Sequence, residues 1–60
     1  MSIEEARRYL RTTTYELFCA AYVAKQGCLQ RHFVDTAYAL FNKTGQVPWW
    51  VTDYCEKIPA

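Results

Sequence analysis

Two glycines and two prolines are the only strong breaks in this chain, and each falls where a helical apolar pattern runs out. Gly27 follows a stripe of Ile3, Ala6, Leu10, Thr13, Leu17, Ala20 and Ala24, whose alternating spacing of three and four keeps one helix face apolar or small. Glycine tolerates the left-handed backbone that closes helices, and Lys25 just before it suits the negative end of the helix dipole. At the other end, Ser2 and Glu5 form a capping box, because the serine oxygen accepts an early helical N–H while the glutamate reaches back. Gly45 follows a second stripe, Leu29, Phe33, Ala37, Leu40 and Phe41, which predicts a helix from about Leu29 to Asn42. Val34, Tyr38 and Ala39 widen that stripe past half the circumference, so this helix must be covered on two sides. Pro48 fits a first turn and opens a third helix running to about Lys57, with Val51, Tyr54, Cys55 and Ile58 as its packing face, an Asp53–Lys57 ion pair and Pro59 as its stop.

The run Thr12-Thr13-Thr14 is the weak point of the first helix, since β-branched residues lose rotamer freedom there and Thr13 with Glu16 makes a second capping box. The apolar stripe keeps its phase across the threonines, so the expectation is one unbroken helix, with two shorter helices as the alternative. The predicted fold is therefore all-α, with residues 1–60 forming a single small domain: a long helical hairpin with a short C-terminal helix folded across it. Leu17 and Phe33 are expected at the centre of its core. A chain of this size buries only about 60% of its unfolded surface, yet 52% of its residues are apolar and 17% aromatic. A lone copy would leave side chains such as Val34, Tyr38 or Phe41 in water, so the hairpins are expected to assemble as a homodimer, forming a dimeric helix bundle.

The longest apolar run, Leu17 to Ala24, is eight residues, where a membrane span needs about 20. No secretory-type apolar block follows the charged start, and three cysteines cannot all pair within one molecule, so a cytoplasmic location is expected. A net charge of +1 provides no strong field for nucleic acid or anionic membranes. Cys28 and His32, four apart on the predicted second helix, could be two ligands of a zinc ion completed by Cys19 and Cys55, but there is no Cys-x-x-Cys knuckle. As nucleophile and base the same pair lacks a third, orienting residue and an enclosed pocket, and no phosphate loop or hydrolase motif is present, so no catalysis and no cofactor are expected. Arg7, Arg8 and Arg11 form the one basic cluster, which Glu4 and Glu5 can neutralise one turn back. A helix-turn-helix with Gly27 at the turn and Gln30, Arg31 and Asn42 pointing outward is the nucleic-acid alternative. It is disfavoured by the neutral charge and by the apolar residues on that helix.

The strongest functional signal is aromatic. Trp49 and Trp50 are adjacent, so they point about 100° apart and cannot both sink into one helix face. Together with Tyr54 and Tyr38 they are the expected partner-binding residues, because tryptophan and tyrosine dominate binding hot spots. The sequence therefore reads as a small protein–protein interaction or regulatory protein that acts by docking. The DNA-binding helix-turn-helix and a zinc-stabilised domain are the alternatives.

Overall fold

The computed structural model describes residues 2–58, which form four helices and no strand. They are α1 (Ile3–Leu10), α2 (Thr14–Gln26), α3 (Arg31–Thr44) and α4 (Trp49–Glu56). The all-α expectation holds; the long hairpin does not. The first predicted helix breaks at the threonines, where Arg11 turns into the left-handed region at φ 58° and its N–H and that of Thr12 bond back to carbonyls of the last turn of α1. Thr13 then starts α2 with a complete capping box: its Oγ1 accepts from the Glu16 N–H, and the Glu16 carboxylate accepts from the Thr13 N–H. The Ser2–Glu5 box starts α1 in the same way.

The break shortens the molecule. A straight helix from Ile3 to Gln26 would run about 36 Å at 1.5 Å per residue, and the folded chain measures only 28 × 26 × 19 Å. Folding α1 back lays it against both α2 and α4 and sinks Ala6 completely. The phase argument for one helix also fails, because α2 buries Leu17, Phe18, Ala21 and Tyr22 and leaves Ala20 and Ala24 exposed.

Gly27 and Gly45 close α2 and α3 in the left-handed region, at φ 85° and 79°, as their positions predict. Pro48 stands immediately before α4 as its cap, and the helix ends at Glu56. The stop expected at Pro59 lies outside the described residues. The Asp53–Lys57 pair forms, at 3.0 Å.

The buried core is Ala6, Leu17, Phe18, Ala21, Tyr22, Val34, Val51 and Cys55. Phe18 is its centre: Tyr38, Phe41 and Trp50 all bring their rings within 5.4 to 5.9 Å of it. Leu17 is buried as expected, but Phe33 is 53% exposed. The interior face of α3 is instead Val34, Tyr38 and Phe41, the residues expected to stand in water in a lone copy, and Val34 is fully buried within one chain. The total accessible surface, 4089 Å², matches the roughly 4,100 Å² of a folded monomer of this mass.

Phe18→Ala should remove about 3–5 kcal/mol, close to the entire stability of about 3–9 kcal/mol open to 60 residues, whereas Phe33→Ala should cost less than about 1 kcal/mol. Urea unfolding measures both, and equal losses would refute the assigned faces of α3. Arg11→Gly should stabilise the chain by about 0.5–1 kcal/mol, because glycine occupies the left-handed region without the side-chain penalty but is freer when unfolded. A loss of more than about 1 kcal/mol in the same assay would mean that Arg11 does not hold this turn conformation.

Candidate functional site

Helix α4 splits its two tryptophans between interior and solvent. Trp50 packs edge-on against Phe18 and Tyr22, at 5.9 and 5.4 Å between ring centroids. Trp49, rotated about 100° round the helix, is 63% exposed. Tyr54, one turn after Trp50, is half-buried beside a depression of about 70 Å³ that Ala21, Ala24 and Lys25 of α2 share. Tyr38 lies elsewhere, half-buried between Tyr15 and Phe18 with Phe41 alongside. The four aromatic residues singled out in the sequence therefore do not form one surface: Trp50 and Tyr38 meet through Phe18, and Trp49 is the most exposed.

A second exposed apolar feature escapes the sequence reading. Because Val34, Tyr38 and Phe41 turn inward, Phe33 and Leu40 face outward, 53% and 43% exposed, with Leu29 exposed just before the helix begins. Phe33, Ala37 and Leu40 follow at i, i+4 and i+7, a seam of the kind a partner helix fills. The backbone of α3 runs beside α2 and approaches no other helix among the described residues, so the second covering expected for this helix is missing. The seam connects to α4 through the core: Phe33 stacks on Tyr22 at 6.4 Å, and Tyr22 meets Trp50. The sequence did carry this signal, since an apolar arc too wide for one contact face implies a second one.

Charge is distributed unevenly around α3. Asp35 and Arg31 both lie toward Tyr15: its hydroxyl donates to the Asp35 carboxylate and stands 3.5 Å from the Arg31 guanidinium. The bond to Asp35, with burial adding to it, pushes the Tyr15 hydroxyl above its usual range against the opposing effect of Arg31. Lys43, three residues after Leu40 and so beside the seam, is exposed and takes part in no ion pair among the described residues. At the α2–α4 junction Lys25 reaches the Asp53 carboxylate at 2.8 Å and lies 5.1 Å from the centroid of Trp49. Lys57 shares the same carboxylate.

The four-ligand set weighed for zinc does not come together among the described residues. Helix α3 begins at Arg31, so Cys28 stands in the linker and not four residues before His32 on a common helix. Cys28 is exposed, Cys19 half-buried and Cys55 buried. Among the described residues no three His, Cys, Asp or Glu side chains lie close enough to hold a metal ion. Burial pushes the Cys55 thiol up, away from reactivity. A depression of about 490 Å³ does form where Ser2, Ile3, Phe41, Val47 and Cys55 meet, larger than expected for so short a chain, but it is open. Of the outward residues of the helix-turn-helix reading, Gln30 has its side-chain oxygen engaged by the Tyr22 hydroxyl at 2.8 Å.

The Lys25–Asp53–Lys57 cluster ties α2 to α4, and Lys25 lies over the ring of Trp49. Hydrogen bonds from Lys25 first, then Lys57, hold the Asp53 carboxyl below the usual carboxylate range. A lowered folded-state value stabilises the fold above the unfolded value, about 3.9, and that contribution disappears as pH falls through the folded value. Thermal midpoints from acidic to neutral pH should therefore show the native protein losing its advantage over Asp53→Asn below about pH 4. Parallel curves would mean that the cluster does not form in solution.

No family model matches this chain, and no curated protein or solved structure matches it either.

Proposed function

We propose that this chain is a small protein-interaction module of the cytoplasm that acts by docking and carries out no chemistry of its own. The observation that carries this reading is the open seam of α3, Phe33 and Leu40, linked through Tyr22 and Trp50 to the exposed Trp49. Exposed rings on a rigid helical surface are what binding hot spots are made of. Two further features agree with it. The charge perturbations in the fold carry Glu4, Glu5 and Asp53 down and Arg7, Tyr15 and Cys55 up, each away from neutral pH, where general acid–base groups work. The free thiols of Cys19, Cys28 and Cys55 suit a reducing compartment.

A homodimer is the second reading, favoured by the spacing of the seam. In an antiparallel crossing centred between Thr36 and Ala37, Phe33 of each copy would meet Leu40 of the other.

The test compares the native chain with the double variant Phe33→Ser, Leu40→Ser as immobilised baits in cell extract. Both should be folded by circular dichroism, because both positions are exposed. Proteins held by the native chain should be lost from the variant by about tenfold or more, the effect of roughly 1.4 kcal/mol. Identical captured sets would remove the seam from the function.

A further inference from the structure

We infer that α1 is an exchangeable arm: the chain straightens through Arg11, Thr12 and Thr13 into one helix and seats α1 on a second copy, making a dimer by exchange of identical elements. This dimer uses no residue of the α3 seam and is independent of the docking reading above. The junction between α1 and α2 is costly as it stands. Arg11 holds φ 58°, where no other non-glycine residue among those described is found, and the Thr12 hydroxyl is buried without a partner. Both costs exist only while the chain turns here. In a continuous helix Arg11 takes an ordinary helical φ, and the Thr12 hydroxyl reaches the carbonyl of Arg8. Thr36 and Thr44 already bond the carbonyls four residues back in this way, at 2.8 and 2.9 Å. Straightening gives up the Thr13–Glu16 capping box but replaces its two hydrogen bonds with helical ones across the threonines.

The grip on α1 is also weak. Ala6 is its one buried side chain, with Ile3 and Leu10 partly buried against the core. Its side-chain bonds and ion pairs among the described residues join Ser2 to Glu5 and Glu4 to Arg7 and Arg8, all within α1 and its own cap. None of them ties α1 to α2 or α4, and an open depression of about 490 Å³ forms where Ser2 and Ile3 meet Phe41, Val47 and Cys55. The sequence suits the straight form as well, since Ile3, Ala6, Leu10, Thr13 and Leu17 stay in phase across the junction. A second copy is the occupant that fits the vacated surface of α2 and α4, because its α1 is the same segment that left it.

The test refolds the native chain from urea at millimolar concentration and follows the mass by sedimentation, with circular dichroism to check that each variant is folded. A dimer should form. Arg11→Gly should lower the dimerisation constant at least about tenfold, because glycine relieves the turn in two chains and weakens the straight helix. Thr13→Ala removes the cap of the turned form and favours a continuous helix, so it should raise the constant. Phe33→Ser should leave it unchanged. If the native and Thr13→Ala chains both stay monomeric, or if Arg11→Gly leaves the constant as it was, α1 is not exchanged. A dimer that Phe33→Ser dissolves would lie on the α3 seam, which overturns the exchange and leaves docking in place.

Discussion

The fold depends on one side chain more than on any other, because Phe18 is where α2, α3 and α4 meet. Its ring touches Tyr38 and Phe41 from α3 and Trp50 from α4, and it is completely buried. Helix α2 is the common partner, running beside each of the other three helices. With only eight buried residues among those described, the core has no reserve. Aromatic edge-to-face contacts carry much of its cohesion, since each adds about 0.5–1.5 kcal/mol beyond the area it buries. The polar links lie at the periphery of this cluster: Tyr22 to Gln30 at the start of α3, and Lys25 to Asp53 in α4.

How far the sequence could be read follows from which signals are local. Both left-handed glycines, the capping boxes at Ser2 and Thr13, the start of α4 after Pro48 and the divergence of Trp49 from Trp50 depend on neighbouring residues, and all can be read from short windows. The break at Arg11 could not be decided in that way. A helix through the three threonines and a helix broken there are close in local energy, and what separates them is that the break brings α1 back over α2 and α4. That gain appears only once the third dimension is known. It is large enough to hold a non-glycine residue at φ 58° and to leave the Thr12 hydroxyl buried without a partner, each a cost of the order of 1–3 kcal/mol.

The two faces of α3 raise the same issue in a different form. Its apolar residues form two stripes, Val34, Tyr38 and Phe41 on one side and Phe33, Ala37 and Leu40 on the other, and nothing in the residue types says which turns inward. In the fold Tyr38 and Phe41 meet the ring of Phe18, while the ring of Phe33 stacks on Tyr22 and lies beside His32. An excess of apolar residues thus appears as an open seam on a chain whose surface area is already that of a complete monomer. A sequence can show that an apolar face is in excess without showing whether another helix of the same fold will cover it.

The thinness of the core connects this surface to stability. Phe33 stacks on Tyr22, Tyr22 holds Gln30 at the entrance to α3 and also supports Trp50, so an occupant on the seam would press directly on the contacts that keep α2, α3 and α4 together. A ligand that binds only the folded chain stabilises it by RT ln(1 + [L]/Kd), or about 2.7 kcal/mol at a hundredfold excess over Kd. In a domain whose total stability is only about 3–9 kcal/mol, that is a large fraction. Under the docking proposal, binding and folding in a chain of this size would therefore be coupled. The apolar seam adds little to the stability of the free chain, because water covers it in the folded and the unfolded state alike, and an occupant would supply the second contact face that α3 lacks.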